Sequence, residues 1–137
     1  MNEFNVREII GIIGTRSRNT QRDYYSVEDA LFKIYKPGDW LCSGSCHAGG
    51  DRFAEIISKK YGIPILLFPA NWQHVWTGER YEKVSKYNPK AGFERNTPIA
   101  EYSTILIACV SLNRTGGTED TIQKFEGLGK KDKLILV

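Results

Sequence analysis

WLCSGSCHAGGD, residues 40–51, is the stretch that decides the fold. A short apolar run, Trp40-Leu41-Cys42, delivers the backbone into Ser43-Gly44-Ser45, and His47-Ala48-Gly49-Gly50 follow. Asp51 then opens a helical pattern with apolar residues at Phe53, Ala54, Ile56 and Ile57. A strand that breaks into small residues and re-enters as a helix is how α/β proteins build an anion pocket. Glycines let the backbone approach a ligand, and the helix N-terminus offers unpaired N–H groups and a partial positive charge. No Gly-Lys-Ser/Thr follows the glycines, so this is not a Walker loop, and the spacing is not G-x-G-x-x-G. Alone, the stretch reads equally well as an ordinary strand-to-helix turn. Its weight comes from what surrounds it.

Upstream, Ile9–Gly14 is a continuous apolar run ending in glycine, as expected of a parallel strand buried on both faces. From Asp23 to Tyr35 the apolar positions Tyr24, Val27, Ala30, Leu31 and Ile34 recur at helical spacing, and Lys36-Pro37-Gly38 stops the helix. Downstream, the helix of about Asp51–Tyr61 closes at Gly62. A third strand, Ile63–Phe68, runs into Pro69-Ala70-Asn71-Trp72. Gln73–Gly92 is the least regular segment. It holds a capped helical candidate, Thr77–Lys86, in a connection long enough for a lid or binding segment. Helix is expected again around Glu94–Tyr102, interrupted or restarted at Pro98. Ser103–Val110 is the clearest strand. Thr118 reads as the N-cap of a helix of about Glu119–Gly127, and Leu134–Val137 as a last strand.

Strands alternating with helices of this length mean βαβ units and right-handed crossovers. The expected fold is α/β, a Rossmann-like three-layer sandwich with a mostly parallel five-stranded sheet ordered 3-2-1-4-5. The ligand crevice then lies outside the carboxyl ends of the strands, between the first and fourth. Four loops converge there: Gly14–Ser17, Ser43–Asp51, Pro69–Trp72 and Asn113–Thr118. Each carries glycine or small polar residues at its strand exit.

Composition narrows the classes. At 137 residues, 41% hydrophobic and 26% charged, the chain supports one core, so residues 1–137 form a single domain. A net charge of +3, from 19 Lys+Arg against 16 Asp+Glu, is too slight for a nucleic-acid footprint. The cluster Gly129-Lys130-Lys131-Asp132-Lys133 reads as a solvated loop. MNEFNVREII lacks signal-peptide architecture, and no apolar run is long enough for a membrane span. Three cysteines, an odd number, argue against a disulfide framework, and a cytoplasmic protein is expected. Cys42 and Cys46 with His47 invite a metal reading. No second ligand pair appears, so zinc is rejected; no cofactor is expected, and His74 has no identifiable partner.

With these loops in place, the chain resembles the SLOG superfamily, and within it the YspA-like branch. The matching elements are Gly14-Thr15-Arg16, the run Ser43–Glu55, Phe68-Pro69-Ala70-Asn71-Trp72, Arg95-Asn96, and Gly116-Gly117-Thr118, and the likeness runs from about Ile10 to Val137. It implies a site for nucleotides or nucleotide derivatives, and assembly through helices into a homodimer or homotetramer. Exposed Tyr24, Tyr25 and Phe32 on the first helix are the expected contacts. Relatives include Lonely-guy phosphoribohydrolases, sensor domains for ADP-ribose-type signals, and DNA-processing proteins. Two departures stand out. Asn113-Arg114-Thr115-Gly116 replaces the Lonely-guy proline and glycines, and Thr121 stands where those enzymes place a catalytic glutamate.

Cleaving an N-glycosidic bond needs a carboxylate near the ribose and a cation on the phosphate or leaving group. Arg95 is the candidate cation, since a guanidinium clamps phosphate bidentately. The carboxylates in reach are Asp51, Glu119 and Asp120. Glu119 is the candidate acid by place, although for both Glu119 and Asp120, in a first helical turn, interaction with the helix dipole is the favoured reading. Binding asks less. Backbone N–H groups at Gly49-Gly50 and Gly116-Gly117, with the hydroxyls of Ser43, Ser45 and Thr118, can cradle a phosphate. Arg16 and Arg95 supply charge, and Asp51 either contacts ligand or fixes its own loop. Gly14, Thr15, Gly44, Asn71 and Asn96 complete the expected site, with Trp72 to stack on a base. The expected function is binding of an ADP-ribose-like or cyclic-nucleotide signal, as sensor or sequestering protein. A nucleoside 5'-monophosphate phosphoribohydrolase is the alternative, and a single-stranded nucleic-acid binder the least supported.

Overall fold

The computed structural model describes residues 7–45, 49–70, 74–76, 81–83 and 91–137. Within them the chain runs β1 (Ile9–Gly14), α1 (Gln21–Phe32), β2 (Trp40–Ser43), α2 (Gly50–Tyr61), β3 (Ile65–Leu67), β4 (His74–Trp76) and β5 (Tyr81–Lys83). It continues with α3 (Ala91–Tyr102), β6 (Ile105–Cys109), α4 (Gly117–Gly127), a short turn of 3-10 helix at Lys131–Lys133, and β7 (Leu134–Leu136). The main sheet is five-stranded, ordered β3-β2-β1-β6-β7, with every pairing parallel. Counted within that sheet, this is the expected 3-2-1-4-5 order.

Alternation along the strands builds the three layers, because successive side chains leave a strand on opposite faces. Ile10, Ile12, Leu41, Ile107 and Cys109 pack with Val27 and Leu31 of α1 and Phe53, Ala54 and Ile57 of α2. Ile13, Cys42, Leu106 and Ala108 point the other way, onto Ile99 and Ala100 of α3 and Ile122 and Phe125 of α4. Each fully buried Ile, Leu or Phe contributes about 1.5–3 kcal/mol. The two clusters therefore carry most of the stability.

Local chemistry corrects several expectations. Val75, Trp76 and Tyr81 are strand-favouring residues. Strands β4 and β5 pair antiparallel with Trp76 opposite Tyr81, so Tyr81–Lys83 is strand where helix was expected. The rest of Thr77–Lys86 lies outside the described residues. Helix α3 runs unbroken through Pro98. Burial of Asn96, Ile99 and Ala100 along one face holds it together across the missing N–H. The N-cap of α4 is Gly116, at φ +95°, and Thr118 sits inside the first turn. Only glycine adopts that φ cheaply. Tyr24 is half-buried rather than exposed, edge-on to Phe53. Finally, Lys130 is no solvated loop residue. Its Nζ donates to the carbonyls of Ala100 (2.8 Å) and Ser103 (2.6 Å), capping the C-terminus of α3.

Candidate functional site

Where the strand order reverses between β1 and β6, the carboxyl ends of both strands open on a cleft of about 400 Å³. Gly14, Thr15 and Arg16 enter from the end of β1, and Asp51 from the first turn of α2. Helix α3 contributes Phe93, Arg95, Asn96 and Ile99; Thr115–Thr118 and Thr121 come from the start of α4. Phe93, Asn96 and Ile99 are three apart, Arg95 and Ile99 four apart, so one stripe of α3 forms a wall.

The helix starts differ in a way that matters. Helix α1, away from the cleft, carries a full capping box, Thr20 and Asp23 each bonding the other's backbone. Helices α2 and α4 begin on glycine N-caps with no side-chain cap bond. Their first-turn N–H groups are left for something else at the cleft.

The glycines do two different jobs. A Cβ on Gly50 would lie 2.3 Å from the Ile13 carbonyl, and one on Gly49, at φ +76°, 2.4 Å from the Thr15 oxygen. This pair lets α2 press against the end of β1, which is a packing role. Gly49 N–H is also bonded to Asn19 Oδ1 at 2.9 Å. Gly116 and Gly117 face open space, with nothing nearer than 3.9 Å to a Cβ on Gly117. Gly44 makes room for a side chain: a Cβ there would meet Arg95 Nη1 at 2.2 Å and Asp51 Oδ2 at 2.7 Å.

Arg95 and Asp51 form the buried centre of the cleft. Arg95 Nη2 lies 3.4 Å from Asp51 Oδ2, with side chains only 16% and 8% exposed. Arg95 Nε donates to Asn96 Oδ1 at 3.2 Å. Arg95 Nη1 is buried and has no hydrogen-bond partner among the described residues. Burial pushes the Asp51 carboxyl up to about 6, and Arg95, the Ser43 hydroxyl and Arg16 pull against that shift. Asn96 links the pair to α4, its Nδ2 donating to Gly117 O (3.2 Å) and Asp120 Oδ2 (3.1 Å). Asp120 is itself paired with Lys124 at 2.9 Å.

The remaining candidates fall in different places. Ser43 is fully buried under the sheet end, its hydroxyl donating to Ile12 O. Ser45 is exposed and outside the cleft lining. Glu119 is gripped by Arg114 through two contacts, 2.6 and 3.0 Å, and is not among the residues lining the cleft. Asn71 and Trp72, with Cys46 and His47, lie outside the described residues. Thr121, in place of the family's glutamate, is buried and donates to Gly117 O at 3.2 Å. Ile13, Phe93, Ile99 and Thr115 also line the cleft, though the sequence marks none of them as a site residue, and Thr121 lines it where only a missing glutamate was noted. Helical spacing from Asn96 and Arg95 was the signal that could have found the two on α3.

The fold and the cleft define an α/β protein with a crevice of mixed polar and apolar lining at its topological switch point. No family model matches the chain, and no curated protein matches it. Among solved structures it is similar to the molybdenum cofactor binding protein from the phototrophic bacterium Rippkaea orientalis. The TM-score is 0.61 at 20% identity, over 96% of this chain and 76% of that one. The likeness is one of fold, a Rossmann-like α/β arrangement with a parallel sheet. Among the described residues no helix is long and apolar enough to cross a membrane.

Proposed function

We propose that this chain, a SLOG-type protein of the YspA-like branch, binds a nucleotide or nucleotide-derived small molecule in the β1/β6 cleft, as sensor or sequestering protein. An ADP-ribose-like or cyclic-nucleotide ligand is the class intended. One observation carries the reading: two helix N-termini without side-chain caps converge with Arg16 and Arg95 on a single cleft. Backbone amides and guanidinium groups together are what a phosphate or pyrophosphate requires. Gly116-Gly117-Thr118 offer the open amides, and Phe93, 48% exposed at the rim, offers a face for a ring. The fold neighbour is named for binding a cofactor, which agrees with a binding role without fixing the ligand.

A phosphoribohydrolase is the second reading. It is favoured by Asp51, a carboxyl that burial pushes up to about 6 beside a guanidinium. In this reading Asp51 is better placed than Glu119, whose carboxylate is already held by Arg114. Self-association belongs to the proposal as well, through Tyr25 and Phe32 of α1 with Tyr61 of α2, all three exposed. A cytoplasmic setting goes with it.

The test is incubation with AMP, NAD, ADP-ribose and cyclic nucleotides, with filtrate and heat-released fractions read by mass spectrometry. An intact nucleotide released from the protein supports binding. Free base or ribose phosphate, lost in Arg95→Ala, makes it an enzyme and overturns the first reading.

A further inference from the structure

We propose that the Asp51–Arg95 pair couples anion binding in the cleft to proton uptake. An anionic group taken onto Arg95 leaves the Asp51 carboxylate without its counter-charge, and Asp51 binds a proton in exchange. The proposal rests on the anion-binding reading of the cleft and specifies how that site is regulated.

The geometry sets up the exchange. Arg95 holds Asp51 by one long contact, 3.4 Å, and keeps Nη1 buried without a partner among the described residues. A guanidinium so placed has donors to spare for a second acceptor. Asp51 has no such freedom, because it leaves the backbone in the first turn of α2 and its side chain is 8% exposed. A lone carboxylate in that position is poorly solvated, and protonation relieves the cost.

The charges around Asp51 divide into two that a ligand can reach and one that it leaves in place. Arg95 from α3 and Arg16 from the loop after β1 favour its ionised form, and Glu55, one turn on in α2, opposes it. The Ser43 hydroxyl from β2 is the remaining polar neighbour that steadies the anion. Both cations line the cleft and are the groups a bound anion would engage, whereas Glu55 and the burial remain. With Asp51 already raised to about 6, a bound anion moves its titration through neutral pH. Free and occupied clefts then differ in bound protons, and affinity must depend on pH.

Calorimetry tests this directly with two probes of fixed charge, sodium sulfate and ADP-ribose, titrated into the full chain and into Asp51→Asn. Two buffers of different ionisation enthalpy report the protons taken up. The expected result is uptake on the order of half a proton per ligand near neutral pH, and binding about tenfold tighter at about pH 5.5 than at about pH 7.5. Both effects should vanish in Asp51→Asn. Should that variant fold poorly, the Asp51 carboxyl followed by carbon NMR in the wild type must titrate higher with sulfate than without. Affinity that is flat with pH, with no proton taken up, overturns the proposal, as does equal uptake in the variant. ADP-ribose bound without proton uptake leaves the nucleotide reading standing and removes the coupling. Sulfate bound with uptake while ADP-ribose fails to bind does the reverse. No binding of either probe overturns both.

Discussion

Arg95 Nη2 stands 3.4 Å from Asp51 Oδ2, and the α-carbon of Gly44 is what makes room for them. The exit of β2 and the first turn of α2 thus meet the second turn of α3, distant in sequence, around one ion pair. Buried pairs of this kind seldom repay their desolvation as stability. This one lies at the buried centre of a cleft, where it has charge to offer a ligand.

Gly44→Ala separates position from fold. The new methyl would collide with the ends of two side chains, the Arg95 guanidinium and Asp51 Oδ2, and the arginine is the longer and freer of the two. The expected outcome is a displaced guanidinium, ligand affinity reduced about tenfold, and stability changed by less than about 1 kcal/mol. Binding titrations and thermal melts on the same preparation check it.

Gly50→Ala and Gly117→Ala should behave oppositely. A Cβ on Gly50 strikes the Ile13 carbonyl, while one on Gly117 meets nothing closer than 3.9 Å. Urea unfolding should show Gly50→Ala destabilised by about 2 kcal/mol or more, from forced backbone shifts. Gly117→Ala should stay within about 0.5 kcal/mol of the wild type.

Arg18→Ala tests a structural arginine. Its side chain joins Asp23 at 2.8 Å to the carbonyls of Val110 (3.1 Å) and Val137 (2.6 Å), tying α1 to the ends of β6 and β7. Loss of charge-assisted bonds on this scale should cost about 1.5–3 kcal/mol. Burial raises the Asp23 carboxyl, but hydrogen bonds from Thr20 and Arg18 outweigh it and leave the value below 3.8. Asp23 therefore adds stability above that value and loses it as pH falls through the folded one. In Arg18→Ala, acid unfolding should begin at higher pH.

Asp51 has the opposite sign. Its folded value, about 6, lies above the ordinary 3.8, so its contribution is fully present below 3.8 and lost as pH rises through about 6. Asp51→Asn cannot titrate. Its stability relative to wild type should rise by roughly 2–3 kcal/mol across that window, and the gap should stay constant above it. Chemical unfolding at a series of pH values gives the curve. A gap flat with pH would contradict the burial-driven shift.

The sheet order was legible because the five apolar runs and the small-residue exits are local features. The α3 continuity and the β4–β5 pairing were not. Pro98 and the Thr77–Lys86 pattern both carry local signals that burial and strand pairing override. The site was legible in position but not in division of labour. Gly49-Gly50 and Gly116-Gly117 look alike in sequence, yet the first pair answers to the backbone of Ile13 and Thr15 and the second to open space. Glu119 and Asp51 both read as first-turn acids. Only the fold pairs Glu119 with Arg114, off the cleft lining, and Asp51 with Arg95 inside it. The role of Asn96 as the link between Arg95 and α4 depends on contacts more than twenty residues apart, which spacing does not encode.

The most direct measurement is an amide proton–nitrogen NMR titration with ADP-ribose and AMP. The account predicts perturbations concentrated on Gly50–Arg52, Arg95 and Asn96, and Gly116–Glu119, with the amides of α1 unmoved. Unchanged spectra at millimolar ligand, or shifts gathered on α1 instead, would contradict a nucleotide site at the β1/β6 cleft.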